Sequence, residues 1–260
     1  MSGPKTASVL ELEDLSCRFG QVHAVDGVTT TVAEGEVRGL IGPNGAGKTT
    51  LINAVSGFVD HTGGHLTLDG RRIDRLAPQR RVRAGLRRTF QTPQTSLGLS
   101  VRDNLIVGAH LRFRCAGFSQ LVRLRDERRA SVRSDAEAVA ADVGLGDLLD
   151  VPAAGLSYGQ LRLLEIGRAL IEPPRVLLLD EPVAGMNEVE RDQVAEVILA
   201  ARDRGATVLL VDHDMPFVME TCDRITVLHL GRVLAEGEPA EVRADAQVEE
   251  VYLGTGSRER

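Results

Sequence analysis

Tryptophan is missing from this chain, and the aromatic residues amount to two tyrosines and six phenylalanines, so few rings are available to stack on a flat ligand. The three cysteines, Cys17, Cys115 and Cys222, are odd in number, widely scattered and without metal-ligand spacing. They predict free thiols in a reducing compartment, with no disulfide and no zinc. No apolar run approaches the length needed to cross a bilayer, and Met1-Ser2-Gly3-Pro4-Lys5 carries no apolar signal segment. Any membrane association is therefore expected to run through partners. A formal net charge of −6, with no long coiled-coil insertion and no strongly basic face, argues against nucleic acid as the main partner. The 260 residues, 43% hydrophobic and 26% charged, suit a soluble cytoplasmic subunit with one large core, or a core with an attached subdomain.

What the chain does contain is a phosphate-binding loop, Gly42-Pro43-Asn44-Gly45-Ala46-Gly47-Lys48-Thr49-Thr50. Upstream, Val37 to Ile41 reads as a buried strand; downstream, Leu51, Ile52 and Val55 recur at helical spacing until Gly57 offers a stop. Glycines at 42, 45 and 47 let the backbone curl so that successive N–H groups face phosphate oxygens, and the following helix adds its positive end. Lys48 is expected to neutralise the β- and γ-phosphates of a bound nucleoside triphosphate, Thr49 to place its hydroxyl on Mg²⁺, and Thr50 to reach a phosphate farther from the bond that breaks.

Arg175-Val176-Leu177-Leu178-Leu179-Asp180-Glu181-Pro182 is an apolar run ending in two carboxylates, as when a central parallel strand delivers acids to the ligand-bearing edge of a sheet. Asp180 is expected to hold Mg²⁺, directly or through water. Glu181, one residue on, points differently and is free to polarise an attacking water as general base.

Between these motifs stands Leu156-Ser157-Tyr158-Gly159-Gln160, followed by the helical pattern Leu161, Leu164, Ile166, Ala169 and Leu170. Alone, Ser157 would simply cap a helix. Together with the other motifs, the pentapeptide makes nearly the whole chain resemble the ATPase subunit of the ATP-binding cassette transporters, whose signature motif precedes the acidic strand by a short helix. The resemblance implies an α/β fold: a P-loop NTPase (RecA-like) parallel sheet with an antiparallel β subdomain and an inserted α-helical subdomain.

Gln91, in Arg88-Thr89-Phe90-Gln91, is similar to the family glutamine that senses Mg²⁺ and the attacking water and passes movement to the helical subdomain. His213, in Val211-Asp212-His213-Asp214, is similar to the switch histidine that contacts the γ-phosphate. Phe19 occupies the place of an aromatic residue that stacks on adenine, a contact worth about 1–3 kcal/mol; a core phenylalanine is the other reading. The resemblance also implies that Ser157 and Gly159 of one subunit bracket the γ-phosphate held by Lys48 of another. A second ATPase subunit, identical or distinct, and two transmembrane permease subunits are thus implied, with an extracytoplasmic solute-binding protein acting indirectly.

The chain departs from the common pattern at Tyr158, where a glycine is usual, and at Asn187, where many members carry aspartate. Asn187 can donate and accept hydrogen bonds but has no charge, which leaves any role needing a carboxylate there open. Both variants resemble the subgroup that energises import of branched-chain amino acids and related small solutes, as do Arg88 to Gln91, His213-Asp214-Met215 and Val251-Tyr252-Leu253-Gly254. An ATPase for lipid or lipopolysaccharide export is the alternative, and a DNA-processing relative a more distant one. A tandem translation-associated ATPase would need a second phosphate loop.

In outline, residues 9–254 are expected to form one nucleotide-binding domain, with tails at 1–8 and 255–260. Val9 to Val37 alternates like antiparallel strands, and His65 to Gly70 continues that layer into an Asp-Gly turn. From 95 to 169 the pattern is helical. Within it, 112–133 carries seven arginines interleaved with Phe113, Phe118, Leu121 and Leu124. That segment reads as a solvated amphipathic helix, or as a surface meeting the permease or anionic headgroups. Strands resume at Val176, Val208 and Ile225, as in a parallel α/β sheet, before a last turn and helix from Glu238 to Leu253.

Overall fold

The computed structural model describes residues 7–110 and 121–255. β1 (Ser8–Phe19), β2 (Val22–Ala33) and β3 (Val37–Ile41) precede α1 (Lys48–Ser56), and β4 (Gly63–Leu68), β5 (Arg71–Arg72), α2 (Pro78–Arg83) and β6 (Leu86–Arg88) follow. Next come α3 (Val101–Gly108), α4 (Leu121–Asp142) and α5 (Tyr158–Leu170). The remaining elements are β7 (Val176–Asp180), α6 (Glu188–Asp203), β8 (Thr207–Val211), α7 (Met215–Thr221), β9 (Arg224–His229), β10 (Arg232–Gly237), α8 (Pro239–Ala244) and α9 (Ala246–Thr255). Two compact units result: Met1–Arg88 with Arg175–Ala184 and Ile198–Arg260, and Thr89–Pro174 with Gly185–Val197.

The first unit holds two sheets. One is antiparallel, in the order β2-β1-β4-β5, and its Asp69-Gly70 turn has positive φ at both residues, as a tight hairpin requires. The other has the order β10-β9-β3-β8-β7-β6 and is parallel except for β10. β3, β7 and β8 are buried along their whole length, which is why they read as unbroken apolar runs. The one charge in β3, Arg38, is accommodated by ion pairs to Glu36 and, at 2.8 Å, to Glu236, with Thr226 accepting at 3.1 Å. α1 contributes Leu51, Ile52 and Val55 to a core that also draws on Leu10, Leu15 and Val28 of the antiparallel sheet and Leu178 and Leu209 of the parallel one. Each such side chain contributes about 1.5–3 kcal/mol of burial, so hydrophobic packing fixes the helix that begins at the phosphate loop. The helix stops where the sequence predicts, with Gly57 left-handed at φ 81°.

Two elements were not expected from the sequence. β6 is three residues long and exists through its parallel pairing with β7, a non-local cause. α2 lacks an apolar face; its buried Arg81 donates to the carbonyls of Ala54 and Val55 at 2.5 and 2.7 Å, closing the C-terminal end of α1.

The second unit contains α3, α4 and α5, with Val101, Leu105, Val132, Ala136, Leu164 and Ile166 buried. Of the arginine-rich stretch, residues 112–120 lie outside the described residues, as do Phe113, Cys115 and Phe118; from Leu121 the backbone is helical. No helix among the described residues is long and apolar enough to cross a membrane.

Candidate active site

The parallel sheet brings three chain segments to one edge. β8 lies between β3 and β7, and its last residue, Val211, pairs with Leu40 on one side and Asp180 on the other. The phosphate loop leaves β3, Glu181 leaves β7 and His213 leaves β8, so all three follow the C-terminal ends of adjacent parallel strands. Ligands of open α/β sheets bind at such an edge.

The loop itself is shaped by close main-chain packing. At Gly42 (φ 149°) a Cβ would sit 2.2 Å from the Leu228 carbonyl oxygen, and at Gly47 (φ 103°) 2.3 Å from that of Ala24. Only glycine fits either position. The Ala46 N–H donates to the Pro43 carbonyl at 3.1 Å, and the Gly231 N–H to the Ala46 carbonyl at 2.9 Å, closing the loop between β2 and the β9–β10 turn. Asn44, Gly45 and Thr49 are exposed, Thr50 is half-buried, and no side chain caps the start of α1. Lys48 Nζ donates to the Gly42 and Pro43 carbonyls at 2.5 and 3.0 Å. Burial holds its ammonium below the ordinary value, opposed by the nearby Glu181 carboxylate. A glycine-rich turn that opens a helix and carries one desolvated cation is the kind of arrangement in which backbone N–H groups can face phosphate oxygens.

Asp180 is buried at the end of β7, where Arg88 Nη2 donates to its Oδ2 at 2.9 Å. The same guanidinium donates through Nη1 to Asn53 Oδ1 and Ser56 Oγ of α1, at 2.6 and 2.7 Å. Glu181 takes a left-handed backbone, φ 49°, and its N–H donates to the Val211 carbonyl at 2.7 Å. That conformation is costly for a residue with a Cβ. His213 is exposed; its Nδ1 lies 3.9 Å from Glu181 Oε1 and 3.7 Å from Asp212 Oδ1. Asp212, fully buried, accepts from the N–H groups of His213 and Asp214 at 2.7 and 3.0 Å and of Val183 at 3.5 Å. It thereby ties the turn bearing His213 to the loop after Glu181. Burial pushes its carboxyl above the ordinary value, against those three donors.

Asp212 and Arg88 are the site neighbours to which sequence reasoning gave no role. Asp212 directly follows the apolar strand β8, which was the available signal; Arg88 ends the Leu-Arg-Arg strand β6 and gave none. Phe19 is 53% exposed at the β1–β2 hairpin, where it pairs with Val22, so the core reading fails. Burial pushes the Tyr252 phenol of α9 up to about 12.

Gln91, Ser157 and Gly159 belong to the second unit. Ser157 caps α5: its side chain accepts from the Gln160 N–H at 3.2 Å, and Gln160 Oε1 accepts from the Ser157 N–H at 2.9 Å. Tyr158 is 46% exposed beside it. Gly159 faces Glu190 so closely that a Cβ would lie 2.5 Å from Glu190 Oε1. Asn187 Oδ1 accepts from the Glu190 N–H at 3.0 Å while Glu190 Oε2 accepts from the Asn187 N–H at 3.1 Å. Asn187 thus starts α6 as a helix cap, which a neutral amide does as well as a carboxylate.

Comparison with known proteins bears on this arrangement. A family described as "ABC transporter" matches residues 25–184, more than half of the chain. The chain belongs to the ABC transporter ATP-binding family. A second family, "Branched-chain amino acid ATP-binding cassette transporter", matches residues 232–257. The high-affinity branched-chain amino acid transport ATP-binding protein BraF of Pseudomonas aeruginosa is 39% identical, over 95% of this chain and 98% of that protein. LivG of Salmonella typhimurium, bearing the same description, is 40% identical over the same shares. Among solved structures, the ADP conformation of the ATP-binding cassette MJ1267 superposes with a TM-score of 0.84 at 31% identity, covering 96% of this chain and all of that one. A nucleotide-free cassette from an ABC transporter gives 0.79 at 30%, covering 95% and 99%. The P-loop NTPase fold expected from the sequence is the fold found.

Proposed function

We propose that this chain is the ATP-hydrolysing subunit of an importer for branched-chain amino acids or closely related small solutes. The observation that carries the reading is the match of its C-terminal segment, 232–257, to the branched-chain amino acid cassette family, on a chain whose phosphate loop, paired acids and His213 share one sheet edge.

In this reading residues 9–254 act as one nucleotide-binding domain, with 95–169 as its helical subdomain. The loop amides from Gly42 to Thr50 and the Lys48 ammonium hold the ATP phosphates, and Phe19 stacks on the adenine. Glu181 accepts a proton from the attacking water as the water oxygen bonds to the γ-phosphorus and the bond to the β,γ-bridging oxygen breaks, so that ADP and phosphate result. His213 holds the γ-phosphate, positioned by Asp212.

Mg²⁺ suits the residues present. Among the described residues no group of three or more His, Cys, Asp and Glu is placed to hold a metal, and nucleotide-bound Mg²⁺ needs only one or two protein oxygens beside phosphate and water. The Thr49 hydroxyl and the buried Asp180 carboxylate would supply them, with Gln91 joining from its loop. When bound, the ion offsets negative charge on the transferring phosphoryl group.

Ser157 and Gly159 serve the nucleotide of a second ATPase subunit, so ATP binding closes the pair and hydrolysis releases it. Closure drives two permease subunits, which hold this chain at the inner face of the membrane, while an extracytoplasmic binding protein selects the solute. The test is uptake of labelled leucine, isoleucine and valine, then urea and short amides, in a strain lacking the gene and any redundant system. Loss of uptake of one of these supports the proposal. Unchanged uptake of all, with a defect in envelope lipid export, replaces it by the export reading.

A further inference from the structure

The segment from Thr89 to Gln94 has no helix or strand, yet its main chain is gripped by side chains of α5. Arg162 donates to the carbonyls of Phe90 and Gln91, and Arg168 to that of Gln94. Glu165 Oε1 accepts from the N–H groups of Phe90 and Gln94 at 3.1 and 3.3 Å. Arg162 and Glu165, one helical turn apart, are both buried and pair at 3.1 Å. At the other end of the same network the Arg162 guanidinium lies over the Tyr158 ring, 5.8 Å from its centroid. The turn that carries Ser157 and Gly159 and the loop that carries Gln91 are therefore fastened to one pair of side chains.

A loop without regular structure ordinarily moves on its own. This one cannot shift at residues 90, 91 or 94 without breaking charge-assisted hydrogen bonds to α5, and the Arg162 and Glu165 side chains that make most of them are themselves buried. A buried ion pair is a poor choice for stability alone, since a well-packed apolar pair of similar volume does as well or better. What the pair supplies here is registry between two segments. Tyr158, largely exposed at the turn, gives that registry an outward contact where a glycine would give none.

We propose that Arg162 and Glu165 are positioning residues that join the Ser157-Tyr158-Gly159 turn to the Gln91 loop as one mechanical body, so that engagement of a partner subunit's ATP at the turn displaces the loop. The proposal rests on the composite-site reading above. It assigns Tyr158 the part of transmitting contact at the turn to the Arg162 guanidinium.

Hydrogen–deuterium exchange of the full chain, with its cognate second ATPase subunit if that is distinct, tests this with Mg·ATP against ADP in a Glu181→Gln background. Exchange is expected to slow together at residues 157–162 and at 90–94. In Glu165→Gln, and separately in Arg162→Lys, the slowing at 157–162 should persist while that at 90–94 falls by about tenfold. Tyr158→Leu, a surface change that leaves the buried pair in place, should reduce the response at 90–94 by a smaller factor. If both buried variants keep the full response at 90–94, or if the unsubstituted pair slows at 157–162 without slowing at 90–94, the proposal is overturned while the composite site stands. Absence of any ATP response at 157–162 would overturn the composite site itself, and this inference with it.

Discussion

Arg88 Nη2 holds Asp180 Oδ2 at 2.9 Å, and both side chains are only 8% exposed. Because the same guanidinium also bonds Asn53 and Ser56, it joins the last residue of β7 to the helix that begins at the phosphate loop. Removing it leaves a buried carboxylate unpaired. Arg88→Met is expected to lower the unfolding free energy by about 3–5 kcal/mol, and Arg88→Lys by less, since the charge remains but the fork does not. Urea unfolding measures both. A loss under about 1 kcal/mol for Arg88→Met would mean that Asp180 is held by something else.

Glu181, the proposed general base, also has a left-handed backbone. Glu181→Gln should reduce ATP turnover by about 10²–10⁴ while nucleotide affinity is nearly intact, checked by phosphate release and nucleotide titration. The left-handed backbone adds a second expectation. Glu181→Gly should be more stable than Glu181→Ala by about 1 kcal/mol, because only the former is relieved of a Cβ at φ 49°. Equal stabilities would remove the strain argument without touching the catalytic one.

Asp212 predicts a pH dependence of known sign. Its carboxyl is held above the ordinary 3.8 by burial, so in the window above that value the native state binds more protons than the unfolded state. Stability from this group is present below 3.8 and is lost as pH rises through the raised native value. The stability of the native chain relative to an Asp212→Asn variant should therefore decline as pH rises from about 4 to 7, measured by urea unfolding at each pH. A difference that is flat, or that grows with pH, contradicts it.

With Mg·ATP, the Glu181→Gln protein should form a closed dimer, alone or with a cognate ATPase subunit, if Ser157 and Gly159 serve a partner's nucleotide as proposed. Size-exclusion chromatography with light scattering measures it. A strict monomer at saturating ATP in both settings excludes the composite site.

The parts of this site that were legible in the sequence are those whose chemistry dictates a local pattern. Glycines at 42 and 47 answer to close main-chain contacts, and the run Val176 to Leu179 answers to burial on both faces of a sheet, so each is written within a few residues. The rest depends on partners distant in the chain. β6 is made by β7, and its Arg88 has meaning only beside Asp180, 92 positions later. Arg81 looks like a surface charge until the carbonyls at the end of α1 are placed around it. Asn187 looked like a lost carboxylate; its reciprocal bonds with Glu190 show a helix cap, a role for which charge is not required.

The phosphate loop is hemmed in by two carbonyl oxygens, those of Ala24 and Leu228. Mutation exchanges side chains and leaves carbonyls in place, so the wall that residues 24 and 228 form against the loop does not depend on their side chains, although Leu228 is held by the core for its own packing. The reverse is forbidden: no amino acid but glycine can stand at 42 or 47 unless β2 or β9 retreats. The shape of the loop thus rests on two glycines set against main-chain atoms of the neighbouring strands, so the constraint at 42 and 47 comes from backbone and not from the side chains that surround them.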